Sequence, residues 1–390
     1  MKILVCSWNY PPVVGGIEVV AEQVAEGLHG LGHEVAVLAA ALPEGAAEAV
    51  GTVDVARAAK KGIPRFLLHA VREGGWRIRK ERPDWIVCPS LTSAPAGWWL
   101  SKRYGVPYAV LVHGSDLLLE SKAYQAGIRP LLKGARVVFA NSRNTARLAR
   151  EKGVAEARIR VVCPGVVVPA AGGAGTGGVS EKMKALAAEA EGKPVLLSVG
   201  RLVKRKGVLE FIRDVMPRVR AALPDAQYWV VGGEPGASLI HRERIGGALE
   251  VAIRETGQEA AVKLLGRLPD ADLEAAYAAS KLFVFPCLDI PHDIEGFGIV
   301  VLEAALKRVP SVATRCGGIP DAVEEGVTGV LVPPGDPEAM AEAIVELLKD
   351  PARIARMGEA GERRAREEFN WGAVSARYAA GLEEALAEGR

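Results

Sequence analysis

KILVCSWNYPPVVGGIEVVAEQVAEGLHGLGHEVAVLAA, residues 2–40, predicts a strand, a helix and a second strand in succession. The continuous apolar runs KILVCSW and HEVAVLAA are typical of strands that are buried on both faces. Between them, GIEVVAEQVAEGLHGLG repeats apolar residues at helical spacing, and this helix is expected to end near Gly30 or Gly32. The pattern indicates a parallel pair, because parallel neighbours need a long crossover connection.

The same alternation continues along the chain. Four more strands are predicted in the first half: DWIVCPS, YAVLVHG, ARVVFAN and IRVVCPG. After the small-residue segment Pro169–Gly178, six further strands are predicted: PVLLSVG, AQYWVVGG, AVKLLGR, KLFVFPC, PSVATRC and GVLVPPG. The chain is expected to be helical from about Pro337, with a break at FNWG. We therefore predict the α/β class, with two doubly wound Rossmann-like domains that join near residue 170 and face each other across a cleft.

Length and composition restrict the class of protein. The chain has 390 residues, of which 49% are hydrophobic, and a formal net charge of +2, so we expect a globular protein without nucleic acid as a partner. The five cysteines are widely separated, and we expect free thiols in a reducing compartment. The first apolar run is too short for a signal peptide, and no run reaches the ~18 residues of a membrane span. The prediction is a soluble, cytoplasmic protein.

Basic residues follow the first predicted strand of the second half. SVGRLVKRKG contains Arg201, Lys204, Arg205 and Lys206. The fork of an arginine and the point charge of a lysine suit the two phosphates of a diphosphate. A basic loop is more commonly a solvated surface, but this one lies at the carboxyl end of a strand, where doubly wound sheets bind ligands. Arg201 and Lys206 are therefore predicted to bind a diphosphate.

Two glutamates flank a predicted helix start in DIEGFGIVVLEA, residues 293–304. Gly296 and Gly298 mark a turn, because glycine is unfavourable inside a helix, so the helix should start near Gly298. Glu295 then lies before the helix and Glu303 lies inside it. Free amides at a helix start bind anions, whereas carboxylates suit hydroxyl groups, and a ligand that carries both is a sugar nucleotide. The alternative is a glutamate that only complements the helix dipole.

The first half contributes two further strand-end features. YPPVVGGIE places Gly15 and Gly16 just before the first helix, and two glycines let a backbone approach a phosphate closely. VHGSD places His113 and Asp116 at the end of another predicted strand. Both features lie at carboxyl ends, where a ligand is expected.

Two other motifs are rejected as ligand sites. Gly173–Gly178 formally matches G-x-G-x-x-G, but the following strand ends in LLSVGR without the acid that would bind a ribose, so NAD is not expected. Asp270 and Asp272 resemble a D-x-D metal motif, but they open a helical run, where helix capping and the helix dipole account for them. We therefore predict no metal and no other cofactor.

Together these segments resemble the family 4 retaining glycosyltransferases of the GT-B fold. The resemblance covers essentially the whole chain: P-P-x-x-G-G-[IV]-E, GHEVAVL, the strand-end HG, GRLVKRKG, LLGRLPDADL, the two glutamates, GGIPDAV, GVLVPPGDPEAMAEAI and a closing FNW helix. It implies an acceptor-side domain over residues 1–170 and a domain that binds the nucleotide sugar over 171–368. It also implies a last helix, 369–390, that crosses back to the first domain.

The resemblance assigns roles to individual residues. It implies four catalytic residues: Arg201 and Lys206 on the diphosphate, Glu295 on the sugar hydroxyls, and His113 near the transferred sugar. It also implies a donor-binding set that includes Gly15 and Gly296. In this set Gly16 approaches the phosphate, Leu268 and Asp270 flank the base, the amides of Phe297 and Gly298 hold the sugar, Ile299 contacts the nucleotide, and Glu303 binds the ribose. Asn9 departs from the family pattern, because some relatives carry an acid there.

The implied function is transfer of a hexose-type sugar, with retention and without a metal, from a UDP- or GDP-linked donor. The acceptor would be a sugar or a lipid-linked hydroxyl, in the synthesis of a cell-envelope glycolipid or polysaccharide. A sugar-nucleotide epimerase of the same fold is the main alternative. An NAD-dependent dehydrogenase lacks its fingerprint, a binding protein needs no diphosphate loop, and a pyridoxal phosphorylase lacks an identifiable lysine site.

One segment of the first half is strongly basic. Nine basic residues lie between Arg57 and Arg82, opposed only by Glu73 and Glu81. One helical face there is apolar: Ile63, Phe66, Leu67, Ala70 and Val71, with Trp76 following. A basic amphipathic helix docks on anionic lipid, so this segment is predicted to contact the inner face of the cytoplasmic membrane. The alternative is that the apolar face packs on its own sheet, and Gly74 and Gly75 weaken a continuous helix.

Overall fold

The computed structural model describes residues 1–13, 15–47, 51–169, 178–234 and 245–388. Its contacts divide the chain into two compact units, one of Met1–Gly165 with Phe369–Arg390 and one of Val166–Glu368. The rejected G-x-G-x-x-G match at 173–178 lies outside the described residues, except for Gly178.

The first unit contains a seven-stranded parallel sheet in the order β3-β2-β1-β4-β5-β6-β7. Its strands are β1 (Lys2–Ser7), β2 (Glu34–Ala39), β3 (Asp54–Arg57), β4 (Trp85–Cys88), β5 (Tyr108–Val112), β6 (Val137–Ala140) and β7 (Ile159–Val161). Its helices up to β7 are α1 (Gly16–Gly30), α2 (Ile63–Glu81), α3 (Ala94–Tyr104), α4 (Ser115–Leu118), α5 (Lys122–Gly134) and α6 (Arg143–Glu151).

The second unit contains a six-stranded parallel sheet in the order β10-β9-β8-β11-β12-β13. Its strands are β8 (Val195–Val199), β9 (Gln227–Val231), β10 (Val262–Gly266), β11 (Leu282–Phe285), β12 (Ser311–Thr314) and β13 (Gly329–Val332). Its helices are α7 (Glu181–Glu189), α8 (Val208–Glu210), α9 (Met216–Ala222), α10 (Gly246–Glu255), α11 (Asp270–Ala279), α12 (Ile299–Leu306), α13 (Ile319–Ala322), α14 (Pro337–Leu348) and α15 (Pro351–Glu368).

The apolar runs form the strands that the sequence predicts. Each of the predicted strands coincides with a strand of one of the two sheets, and those inside the sheets are mostly buried on both faces. The sequence prediction misses β3, whose four residues DVAR lie at the edge of the sheet and are only partly buried. A short edge strand carries too few apolar residues to give a clear pattern.

Both sheets reverse their strand order at one point. In the first unit the reversal lies between β1 and β4, and in the second it lies between β8 and β11. At such a point the crossover connections leave toward opposite faces of the sheet, which opens a crevice at the carboxyl ends of the two strands. The residues that follow β1, β4, β8 and β11 are therefore the ones best placed to contact a ligand.

The last helix, α16 (Trp371–Ala387), belongs to the first unit. The side chain of Asn370 accepts a hydrogen bond from the amide of Ala373 and caps its start. The ring of Tyr378 packs edge-on against Phe139 of β6, with the ring centroids 5.0 Å apart. α16 also packs on α1, where a Cβ at Gly27 would overlap the side chain of Ser375.

The basic segment forms one continuous helix, α2, which runs through Gly74 and Gly75. The expectation that these glycines weaken the helix is wrong. A Cβ at Gly74 would come within 2.8 Å of Leu100 and one at Gly75 within 2.7 Å of Tyr104, so both glycines let α3 approach closely. Over the described ranges, no helix combines the length and the apolar character needed to cross a membrane.

Candidate active site

Two of the predicted donor segments follow the strands at the reversal point of the second sheet. β8 and β11 are neighbours there, with Leu196 paired to Leu282. The basic loop follows β8, and the segment that contains Glu295 follows β11. Because the strands are parallel, both segments emerge at the same edge of the sheet.

A glycine fixes the conformation of the basic loop. Lys204–Lys206 form one 3₁₀ turn, which ends at Gly207 with a φ of 67°. A Cβ at Gly207 would overlap the carbonyl oxygen of Pro286, directly after β11. Gly207 therefore satisfies two demands at once, a left-handed conformation and contact with the neighbouring strand end.

Lys206 and Glu295 form the central ion pair of this site. The Nζ atom of Lys206 lies 2.8 Å from Oε2 of Glu295. The same Nζ atom lies 4.4 Å from the centroid of the Phe285 ring, a cation–π contact at the end of β11. The sequence predicted that both residues bind the donor, and the structure brings them into direct contact.

The Glu295 carboxylate is ionised although it is buried. Burial alone would raise its pKa, but the positive charges of Lys206 and Arg205 and their hydrogen bonds outweigh burial and lower the pKa to about 2. Near neutral pH, Glu295 is therefore a hydrogen-bond acceptor, which is the form that the predicted contact with sugar hydroxyls requires.

Arg205 is a member of this site that the sequence prediction left without a role. It is buried, and its Nε donates to Oε2 of Glu295 at 3.3 Å while Nη1 donates to Oδ1 of Asp293 at 3.4 Å. Lys204, its neighbour in the same turn, is exposed. The sequence offered one indication of this role: Asp293 and Glu295 are two acids close together, and they pair with two cations of the basic turn.

The glycine-flanked helix start has the predicted form. α12 begins at Ile299, after Gly298 with a φ of 94°, and no side chain caps it. A Cβ at Gly298 would lie 2.9 Å from the Phe285 ring. Phe297 is buried, and the preceding residue, Gly296, is half-buried. The uncapped amides at the start of α12 therefore lie next to Glu295, where they could bind an anion.

The backbone of Glu295 is held by a second glycine pair. The amide of Gly318 donates to the Glu295 carbonyl oxygen at 2.9 Å. Gly317 has a φ of 54°, and a Cβ there would overlap the same carbonyl oxygen. The GG of GGIPDAV therefore fixes the position from which the Glu295 side chain extends.

Glu303 occupies a different environment from Glu295. Its Oε2 accepts a hydrogen bond from the Tyr277 hydroxyl of α11 at 3.4 Å. Burial raises the pKa of Glu303, while the hydrogen bond from Tyr277 and the charge of Lys206 lower it in part. The contact with Tyr277 was not predicted, and it joins Glu303 to the helix that follows Leu268 and begins at Asp270.

One aspartate of the D-x-D motif, Asp272, supports the structure of the second unit. Asp270 is exposed at the first position of α11, and Leu268 is half-buried in the turn before it. The carboxylate of Asp272 accepts hydrogen bonds from the amide and the hydroxyl of Ser180, each at 2.8 Å. Ser180 caps α7, so Asp272 supports the start of that helix. The sequence suggested instead that the motif caps its own helix, α11, which has no side-chain cap. Within the described ranges, no three metal-ligating side chains come together.

In the first unit, Gly15 and Gly16 lie at the start of α1, after β1. A Cβ at Gly15 would overlap the Glu18 carboxylate, whereas one at Gly16 would meet nothing within 4 Å. Glu18 Oε1 accepts a hydrogen bond from Nδ2 of Asn9 at 2.7 Å. Asn9, noted in the sequence as a departure, is thus held by Glu18, and Gly16 leaves its backbone accessible.

His113 follows β5 in the same unit and is held by a local network. Its Nε2 hydrogen-bonds the Pro89 carbonyl oxygen at 2.7 Å, and its amide donates to Oδ1 of Asp116 at 3.0 Å. Burial raises the pKa of Asp116. Oδ2 of Asp116 and Oδ1 of Asn141 are buried without a hydrogen-bond partner among the residues described. These acceptors lie at the carboxyl ends of β5 and β6 and could serve a hydroxyl-bearing ligand.

The outer face of α2 combines apolar and basic side chains. Phe66 and Ala70 pack inward, as the alternative reading of the sequence requires for the apolar face. Leu68 and Trp76, however, are 58% and 45% exposed, and Lys80 lies over the Trp76 ring at 4.6 Å. An open groove of about 630 Å³ includes both apolar side chains and three basic ones, Lys60, Arg65 and Arg72.

Family models match both units of the chain. Residues 193–350 match the model described as glycosyl transferases group 1, and residues 15–165 match the glycosyl transferase 4-like domain. A D-inositol 3-phosphate glycosyltransferase of Kineococcus radiotolerans is 31% identical over 313 residues, 73% of this chain and 67% of that protein.

Other relatives match over a shorter range. A GDP-mannose-dependent alpha-(1-6)-phosphatidylinositol monomannoside mannosyltransferase of Mycolicibacterium smegmatis is 38% identical over 48% of this chain and 47% of its own length. The chain thus spans about half the length of such relatives. Among solved structures, sucrose-phosphate synthase from Thermosynechococcus elongatus has a TM-score of 0.78 at 22% identity over 99% of both chains. An Anabaena protein in complex with UDP-glucose has a TM-score of 0.73 at 20% identity, over 98% of this chain and 100% of that one.

Proposed function

The chain belongs to the group 1, family 4 glycosyltransferases and has the GT-B fold, and from this premise we propose that it transfers a hexosyl group from a nucleoside diphosphate sugar to an acceptor hydroxyl. The observation that carries the proposal is the Lys206–Glu295 pair at the reversal point of the second sheet, next to the uncapped start of α12. A cation for phosphate, free amides and an ionised carboxylate for hydroxyls are the groups that a sugar nucleotide requires.

The proposed donor site lies in the second unit. Lys206 and Arg201 bind the diphosphate, Glu295 accepts hydrogen bonds from the sugar hydroxyls, and Glu303 binds the ribose. We place GDP-mannose first and UDP-glucose second as donors, because their names occur among the relatives and the similar structures. The relatives named above are transferases and a synthase, which favours transfer over epimerisation.

The proposed reaction needs no metal. As the bond between the anomeric carbon and the diphosphate breaks, negative charge grows on the leaving phosphate, and Lys206, Arg201 and the α12 amides stabilise it. The acceptor hydroxyl forms its bond to the same face of the anomeric carbon and gives its proton to the leaving phosphate. This route retains the anomeric configuration without a covalent intermediate on Glu295, whose carboxylate is already held by two cations.

An assay with purified chain tests the proposal. GDP-mannose and UDP-glucose, each radiolabelled, are incubated with acceptors that carry inositol phosphate, phosphatidylinositol or a mannoside. We expect labelled product with one donor, unchanged in excess EDTA, and loss of that product in Glu295→Gln and Arg201→Ala. Release of an epimerised sugar nucleotide without acceptor would favour the epimerase, and loss of activity with EDTA, restored by manganese, would contradict metal independence.

The acceptor is proposed to be a phosphorylated polyol or a glycolipid, in cell-envelope synthesis. The exposed Leu68 and Trp76 among basic residues support contact between α2 and an anionic membrane. Co-sedimentation with phosphatidylglycerol vesicles across a salt series tests this contact. We expect binding that fades as salt rises and that the double variant Arg65→Glu/Arg72→Glu loses, whereas Lys182→Glu/Lys349→Glu, on exposed sites of the other unit, retains it. Equal binding by both double variants would exclude α2 as the docking surface.

A further inference from the structure

We propose that Arg205 and Asp293 form a positioning pair that keeps the Glu295 carboxylate ionised and oriented while Lys206 turns to the diphosphate of the donor. The inference rests on the proposed donor site and gives a role to a residue of the basic motif that the sequence left without one. In this role Arg205 touches neither phosphate nor sugar, and acts through Glu295.

Arg205 is anchored at both its backbone and its side chain. Its carbonyl oxygen accepts a hydrogen bond from the amide of Leu288 at 2.8 Å. Its side chain is 9% exposed and contacts Glu295 and Asp293 at 3.3 and 3.4 Å. A guanidinium held by two carboxylates has little freedom to follow a ligand, because moving it would leave buried charges without partners.

Lys206 has the opposite character. Its ammonium group is a point charge on a flexible stem, held by Glu295 at 2.8 Å and by the Phe285 ring. A diphosphate beside it would compete with Glu295 for the same ammonium group. Glu295 would then lose its nearest cation in a buried place, where burial favours the neutral carboxyl. The positive charge of Arg205 would then remain beside Glu295 and oppose its protonation.

The geometry at Glu295 fits this division of roles. Lys206 and Arg205 both contact the same oxygen, Oε2. Neither of these two contacts is made to the other oxygen, Oε1. A carboxylate clamped through Oε2 is thus oriented so that Oε1 is left for a hydroxyl group of the ligand.

The test separates binding of the sugar from binding of the diphosphate. Affinities for GDP and for GDP-mannose are measured calorimetrically for the wild type, Arg205→Met, Arg205→Lys and Lys204→Met, an exposed neighbour in the same turn. In Arg205→Met we expect a loss of about tenfold for GDP-mannose and less than about twofold for GDP, as for a contact made only to the sugar end. The acid limit of GDP-mannose binding should also move to higher pH, and Arg205→Lys should restore it. Lys204→Met should match the wild type.

Two outcomes would overturn the inference. Equal losses for GDP and GDP-mannose would make Arg205 a diphosphate ligand, and an unchanged acid limit would make its role merely structural. If GDP-mannose does not bind, the same comparison is made with UDP and UDP-glucose.

A double-mutant cycle of Arg205→Met and Glu295→Gln on the thermal midpoint gives an answer without any donor. Coupled effects support the clamp even if the proposed donor is wrong, and additive effects refute it.

Discussion

Lys206 of the loop after β8 and Glu295 of the segment after β11 meet at 2.8 Å, across the two strands between which the order of the sheet reverses. The two opposite charges neutralise each other, so the pair adds no net charge to this mostly buried place. In the proposed function, the diphosphate of the donor competes with Glu295 for the Lys206 ammonium group. Substitution of Lys206 should therefore change donor binding differently from substitution of Lys204 or Arg205.

Lys206→Ala should weaken GDP and GDP-mannose binding to a similar extent, because the lost contact is to the phosphates. A charged hydrogen bond contributes ~1.5–3 kcal/mol, so we expect roughly a tenfold to hundredfold loss in calorimetric titration. Lys206→Arg keeps the charge and should lose less. Wild-type affinity of Lys206→Ala for GDP would exclude Lys206 from the diphosphate site.

The two glutamates should affect acid stability with opposite signs. The pKa of Glu295 falls from 4.5 to about 2 in the folded chain, so its contribution is present above pH 4.5 and is lost as the pH falls towards 2. The unfolding free energy of the wild type should therefore decline between pH 4.5 and 2 by on the order of 3 kcal/mol through this group. Glu295→Gln should lack this part of the decline.

Glu303→Gln provides the contrast. Burial raises the pKa of Glu303 above 4.5, so its contribution is present below that pH and is lost as the pH rises through the folded pKa. The variant should gain stability relative to the wild type on the neutral side. Urea unfolding at a series of pH values measures both variants, and the same sign for both would contradict the assigned environments.

Gly317→Ala should disturb the donor site through the backbone of Glu295. Its positive φ makes alanine strained, and the added Cβ would overlap the Glu295 carbonyl oxygen. Gly326→Ala is the matched control, since Gly326 has a φ of 75° but a Cβ there meets nothing within 4 Å. Both should lose about 1 kcal/mol of unfolding free energy from strain, but only Gly317→Ala should also lose donor affinity. Equal donor affinity in the two variants would show that the close contact has no effect on the site.

The GT-B fold and the family predicted from the sequence are confirmed. The strands could be predicted because each lies in a mainly apolar run, and the start of α12 because Gly298 is unfavourable inside a helix. β3 could not be predicted, because its residues are only half-buried at the sheet edge and do not form an apolar run.

The roles within the basic turn depended on the fold. In a 3₁₀ turn successive side chains point about a third of a turn apart, so Lys204 is exposed, Arg205 is buried and Lys206 reaches Glu295. The sequence of three consecutive basic residues does not indicate which of them is buried and which contacts Glu295. The partners appear only when β11 brings Asp293 and Glu295 beside the turn.

The packing of the last helix on α1 gives the final prediction. A Cβ at Gly27 would overlap the Ser375 hydroxyl and lie 2.6 Å from its Cβ, so a rotamer change of the serine cannot relieve the contact. Gly27→Ala gains helix propensity but should lose ~1–3 kcal/mol through overpacking. Gly30→Ala, at the exposed end of the same helix with nothing within 4 Å, should gain up to ~1 kcal/mol. Ser375→Gly removes the colliding Cβ, so in the double variant Gly27→Ala should be much less harmful than alone. Urea unfolding of the wild type, Gly27→Ala, Ser375→Gly and the double variant measures this coupling. Additive effects would mean that α16 does not pack on Gly27 as described.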